Sequence, residues 1–558
     1  MPHGFGYRIR FLRIFLLLTL SVIAAIIIFP AFSYSQPSLL AEHAYIRKSH
    51  QFDRGAVHVF LKNPGVTAVE VEEVCLNGAR LEDLPNATAV WTQVLPSPIP
   101  PGEVSDLTIM LPRAAANYKL PLEVKVKLQT GEILTIPVDR VNGPFKITGS
   151  YFSDNLDQVY IYLQNTGQTS LIPRKVWLAG RDVTGQTRFL SRAIPPGEKS
   201  LLRVDLPTPL ARGKYVSIRL ETADGSIGQA LVRAFSVFPI TSYSNPDTRL
   251  ELYFDPQPFH VKYQPAVSAA EIKALPPQTA WYLFSCPNCT DSEQNKPWGT
   301  SAVEIIKRAR EFYRLDPSRP NHSHVCEAYK ERAYFIYGEV CDIMFINPYE
   351  VVFHDRDPAR NGYFAGLGKL ACEPRPLMTI QEAFARGPGA PFISPEQVRL
   401  GVYYQVAEGV KGISYYSKNQ YTKYPALEKE IGRINRELQA IKSYLKIGEP
   451  FVGLASVSRS EVVAKTVVAA DKGLVVILIN TGYRTAIRDG KRETTFTPQE
   501  NFTVEVEVPG WLEIKQAVEI GPETRPVQLQ KKNGKIIISV DRINLTKIFL
   551  LTDKGDPR

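Results

Sequence analysis

An internal repeat limits what this chain can fold into more than any other feature. Ile99-Pro100-Pro101-Gly102-Glu103 returns as Ile194-Pro195-Pro196-Gly197-Glu198, Leu61-Lys62-Asn63-Pro64-Gly65 as Leu163-Gln164-Asn165-Thr166-Gly167, and Leu128-Gln129-Thr130 as Leu220-Glu221-Thr222. Three matches in one order at nearly one spacing imply a duplicated unit. Each copy is strand-like, as in the alternating Val57–Leu61 and Leu122–Leu128, with turns built from Pro, whose φ is fixed, and Gly, which tolerates positive φ. Short strands with such turns in units of this size imply an Ig-like β-sandwich. We expect two, over 41–143 and 144–240. The Pro-Pro-Gly stretches are expected to be spacers, not ligand sites.

From about 245 the pattern changes to strands alternating with helices, which implies a parallel sheet or barrel. Strands are expected at Leu250–Phe254, Trp281–Ser285, His322–Cys326, Asp342–Ile346, Leu377–Gln381 and Gly412–Tyr416. Helices are expected at Ala302–Tyr313, at Glu396–Glu408 behind the Ser394-Pro395 start signal, and from Tyr424 to Leu445. These strands fall short of the eight of a closed (β/α)8 barrel. The expected fold is therefore multidomain: two N-terminal Ig-like sandwiches, an incomplete or irregular (β/α) barrel over 241–450, and a C-terminal β-sandwich over 451–558.

Five segments carry a family resemblance: Trp281–Pro287, Leu315–Pro320, Gly338–Tyr349, Arg375–Phe384 and Val410–Ser417. Together they resemble retaining glycoside hydrolases with a β-galactosidase-type (clan A) barrel, over roughly 280–450. Such chemistry needs an acid/base and a nucleophile, two carboxyls about 5–5.5 Å apart. The resemblance implies the first in Ser285-Cys286-Pro287, where relatives carry Asp-Glu-Pro or Asn-Glu, and the second at Gln381. Both expected acids are thus replaced, by Cys286 and by Gln381. Successive strand residues face opposite ways, so the neighbouring Glu382 serves only with a shifted register. Without a nucleophile no covalent intermediate forms.

Other carboxylates remain. Glu382 and Glu327 are the candidate catalytic pair. Asp342, Glu350, Asp355 and Asp357 are further acids for an inverting pair, which would stand about 6.5–9.5 Å apart. Tyr349, Tyr415, Trp298 and Asp342 are candidate sugar contacts, the alternatives being core packing for the aromatics and a structural hydrogen bond for Asp342.

Cys286 and Cys289 form a single C-x-x-C, and with His322, His324 and Cys326 they could gather the four donors that tetrahedral zinc takes. A disulfide or buried thiols are the alternatives, and the lone motif is weak. Cys341 and Cys372 could also pair, and Cys75 is expected in the first sandwich core. No metal and no cofactor is expected.

Arg8, Arg10 and Arg13 precede the uncharged run Ile14–Phe29, with Ala31, Ser33 and Ser35 after it. This is the pattern of a cleaved export signal or a retained anchor over 1–35. The body is expected outside the cytoplasm: secreted, periplasmic or at the cell surface. The net charge of +10 is spread along the chain, so no nucleic-acid partner is expected. P-loop, G-x-G-x-x-G, H-E-x-x-H and G-x-S-x-G motifs are absent. Three functions are consistent with these residues: an exported glycosidase-derived protein that binds carbohydrate or a cell-surface glycan without retaining catalysis, an active glycoside hydrolase using another carboxylate pair, or a structural cell-surface protein.

Overall fold

The structure is a computed structural model that describes residues 38–49, 54–83, 91–111, 119–242, 255, 259–262, 268–276, 279–285, 290–291, 296–297, 301–326, 330–416, 421 and 423–553. Segment 1–37 and the strand expected at 250–254 lie outside them. Among the described residues no helix is long and apolar enough to cross a membrane.

The chain is β-rich, with several antiparallel sheets and one parallel half-barrel sheet. In the first unit, one sheet joins Leu40–Ser49, Arg54–Lys62, Val104–Met110 and Thr92–Leu95. The other joins Ala79–Arg80, Val71–Leu76, Leu122–Leu128 and Ile133–Val138. Their alternating apolar residues, Val57, Val59 and Leu107 from one and Val124 and Val126 from the other, share a core. A second pair of four-stranded sheets between Phe145 and Arg233 is built the same way.

The two repeats make the same bonds. Asn63 Nδ2 donates to the carbonyls of Thr67 (2.8 Å) and Ile99 (2.9 Å), and its Oδ1 accepts from Gly65 N. Asn165 does the same with Thr169 (2.8 Å), Ile194 (2.7 Å) and Gly167 N. Both asparagines are buried, so each amide meets its own hydrogen-bonding needs while it pins the turn. Gly102 and Gly197, at φ +72° and +79°, take the conformation that a side chain disfavours. In the C-terminal unit Asn480 binds Thr497 O, Asn544 O and Gly482 N in the same manner. There, a six-stranded and a four-stranded sheet share one core between Glu449 and Thr552.

Between these units lies the parallel sheet. Its strands are β1 (Ile240–Ser242), β2 (His260–Lys262), β3 (Ala280–Ser285), β4 (Asn321–Val325), β5 (Ile343–Ile346), β6 (Leu377–Glu382) and β7 (Ile413–Tyr416), in the order β1-β7-β6-β5-β4-β3-β2. Around it run helices α1 (Ala302–Leu315), α2 (Lys330–Tyr337), α3 (Glu350–His354), α4 (Ala359–Cys372), α5 (Pro395–Ala407) and α6 (Pro425–Ile447). Ser394 starts α5 with a capping box: its Oγ accepts from Gln397 N, and Gln397 Oε1 accepts from Ser394 N. The stripe Leu427, Ile431, Ile434, Leu438, Ile441 and Leu445 buries one face of α6.

Two cysteine expectations are corrected. Cys75 is half-buried, with its thiol toward Glu73 and not in the core. Cys341 and Cys372 do not pair. The Cys372 thiol donates toward the carbonyls of Lys369 and Arg375, and burial pushes it up to about 12.

Candidate functional site

In a half-barrel, loops at the C-terminal ends of parallel strands form the natural ligand mouth. Register decides what faces it. Gln381 is level with Tyr415, and Glu382 with Tyr416.

Gln381 faces the helix layer. Its Oε1 accepts from Gln405 Nε2 of α5 at 2.6 Å, and its Nε2 donates to the Glu382 carbonyl. Gly401 of α5 lies against this amide, where a Cβ would come within 2.7 Å of Gln381 Oε1. Tyr415 follows the same direction, is wholly buried, and donates to Asn435 Oδ1 of α6 at 2.9 Å. The expectation of Tyr415 at a sugar cleft is thereby corrected: it is a packing residue of the helix layer.

Glu382 closes β6 and has no exposed surface. Its Oε1 accepts from Val351 N (3.0 Å) and Asn361 Nδ2 (3.3 Å), and its Oε2 from Val352 N (2.8 Å). The carboxylate thus caps the first turn of α3. The acids after β5 are also engaged. Glu350 is buried and paired with Arg356 at 2.9 Å. Asp355 pairs with Arg492 and Asp357 accepts from Tyr483. Both partners come from the hairpin Tyr483–Arg488/Lys491–Phe496 of the C-terminal unit.

Asp342 lies at the other end of the sheet, just before β5. It pairs with Arg233, accepts from Tyr215 Oη (2.8 Å) and Asn321 N (2.9 Å), and is buried. This corrects its assignment as a sugar contact: the carboxylate joins the second sandwich to the barrel. Its partners, Arg233 and Tyr215, are more than a hundred residues upstream and have no local sequence signal.

His322 and His324 are buried on β4. The His322 ring lies 4.7 Å from Phe345 and 5.1 Å from Tyr282. Burial holds His324 below the usual imidazole range. Cys326 is buried at the end of this strand. Glu327, Cys286, Cys289 and Trp298 lie outside the described residues. Among those described, no three acidic, histidine or cysteine side chains come together to hold a metal ion.

The mouth is aromatic. Tyr349, nearly buried, lies 5.2 Å from Phe384 and 6.0 Å from Tyr416, and Phe384 lies 5.3 Å from Tyr416. Tyr416 is half-buried. The Phe392 ring, in the loop after β6, lies 3.8 Å from that of Tyr424, in the loop after β7 and 46% exposed, tilted by 31°. Sequence reasoning missed Tyr416, Phe392 and Tyr424, although their place at the end of β7 and in the segments after β6 and β7 was the available signal.

No family model and no curated protein matches the chain. Among solved structures it is similar to a cycloisomaltooligosaccharide glucanotransferase from Paenibacillus sp., at 9% identity and TM-score 0.37, covering 73% of this chain and 99% of that one. A GH2 β-galacturonidase from Eisenbergiella tayi is similar at 12% identity and TM-score 0.23, covering 69% and 89%. An archaellum periplasmic stator protein from Sulfolobus acidocaldarius matches at 19% identity and TM-score 0.15, covering 16% and 99%. At these scores the likenesses carry no argument about function.

Proposed function

We propose that this is an exported, glycosidase-derived protein that binds carbohydrate at the C-terminal mouth of its half-barrel and has lost retaining catalysis. One observation carries the reading. At the end of β6 the Gln381 amide is held in the helix layer and the buried Glu382 carboxylate accepts three hydrogen bonds, two of them at the first turn of α3. A nucleophile must present a carboxylate oxygen to the sugar carbon; an amide cannot do so, and the burial and hydrogen bonds of Glu382 support the reading that it does not. What remains at the mouth is Tyr416 and the Phe392–Tyr424 pair, aromatic surface of the kind that takes the CH face of a pyranose.

The test is glycan-array binding by the full chain, followed by affinity measurement on the best ligand. Tyr424→Ala should weaken binding by about tenfold, the value of one good aromatic contact. Binding indifferent to Tyr424→Ala and Tyr416→Ala would contradict the assignment of the mouth.

A further inference from the structure

A cavity of about 600 Å³ opens where both N-terminal sandwiches meet the barrel. The barrel side is formed by Phe335, Glu339, Leu370 and Glu373, residues that lead into β5 and β6. The cavity therefore lies at the N-terminal ends of the strands, the opposite end from the mouth. Its volume falls within the range of pockets that take a small ligand, and domain junctions are where such pockets collect.

Its walls join flat apolar rings to fixed polar groups. Tyr45, His43, Phe145 and Phe335 supply the rings. Gly228 leaves room for one of them, since a Cβ there would come within 2.4 Å of the Phe145 ring. Two ion pairs stand in the wall, beside Lys48. Arg47 donates to Glu339 Oε1 at 2.7 Å and to the carbonyls of Glu373 and Leu370, and Lys146 pairs with Glu373 at 3.0 Å. His58 Nε2 lies 3.3 Å from the other Glu339 oxygen. Burial, with Arg140 and Arg219 nearby, lowers His43 to about 4, so its ring is neutral.

One polar atom has no use in the fold. Gln229, 4% exposed and lining the cavity, donates through Nε2 to Glu42 at 3.1 Å, while its Oε1 has no hydrogen-bond partner. A buried acceptor left unmatched is unfavourable, and a ligand hydroxyl is the group that would satisfy it.

We infer that the junction cavity binds a neutral oligosaccharide, with ring faces on the aromatic wall and hydroxyls on Gln229 Oε1 and the Arg47–Glu339 pair. An anionic ligand fits less well, because Arg47 and Lys146 are already neutralised within the wall. A purely apolar ligand would leave Gln229 Oε1 unmatched. This site stands apart from the mouth and does not depend on it.

The experiment is calorimetric titration of the full chain with cellotetraose, xylotetraose, mannotetraose, maltotetraose and, for contrast, tetragalacturonate. At least one neutral tetrasaccharide should bind. Gln229→Met, close in size to the native side chain, should weaken that event by about 3–10-fold, the value of one hydrogen bond. Tyr45→Ala should weaken it by at least about tenfold. Thermal melting confirms that each variant is folded, and if Tyr45→Ala is not, Gln229→Met alone decides. The event should persist unchanged in Tyr424→Ala, which weakens only binding at the mouth. Loss of all binding in Tyr424→Ala would overturn the inference, as would indifference to Gln229→Met, no neutral ligand at all, or a tenfold preference for tetragalacturonate.

Discussion

Lys411 is a residue whose environment changes its chemistry. It is buried, donates to the carbonyls of Leu445 and Gly448, and faces the Tyr151 ring at 4.0 Å. Glu449 stands nearby, but its carboxylate is shared with Lys369 at 3.1 Å, Lys199 at 3.9 Å and the Tyr151 hydroxyl at 2.6 Å. Burial, reinforced by Lys369 and Lys199 against Glu449, lowers Lys411 to about 7. Between that value and the ordinary lysine value of about 10.4, the unfolded chain holds a proton that the folded chain lacks. Stability from this group therefore rises with pH across that window, by up to about 1.4 kcal/mol per unit. Urea unfolding at pH 7, 8 and 9 should show the rise, and Lys411→Met should flatten it. The same slope in the variant would refute this account. Sequence could not foretell this shift, because Glu449, Lys369 and Lys199 converge on Lys411 only through the fold.

At the scale of elements, β6 was legible from its apolar run and α5 from Ser394-Pro395, since both signals are local. The direction of Gln381 was not. Alternation says that Gln381 and Glu382 face differently, but the side that takes the amide is set by Gly401 and Gln405 across the helix packing. Strands β1 and β2, three residues each, were missed because a short strand held by its neighbours needs no pattern of its own. The Gly401 contact gives a prediction with opposing terms. Gly401→Ala improves helix propensity by about 1 kcal/mol, yet its Cβ would press on Gln381 Oε1 and, at 3.1 Å, on Asn361 Nδ2. Crowding a packed interior costs about 1–3 kcal/mol. We expect net destabilisation, read as a lower urea midpoint. A stabilised Gly401→Ala protein would mean that α5 stands off β6.

Across the whole molecule, the Arg233–Asp342 pair ties the second sandwich to the barrel, and Arg47–Glu339 ties the first. Removing one partner of a buried pair leaves the other charge uncompensated, at about 3–5 kcal/mol. Arg233→Met should therefore lower stability by about that amount in denaturant unfolding, whereas an unchanged midpoint would show that the pair is solvated. The repeat and the change of texture near 245 were legible because composition and period are local. The junctions were not, because Arg233 and Asp342 carry no mark of each other in the chain. The mouth was half legible: the end of β6 could be picked out from the sequence, but not that Gln381 turns to the helix layer and that Glu382 is held by α3. The decisive measurement is product analysis after long incubation of the full chain with aryl-glycosides and plant and microbial polysaccharides. The account predicts binding with no product above the buffer control. Turnover that Glu382→Gln or Glu327→Gln abolishes would contradict it.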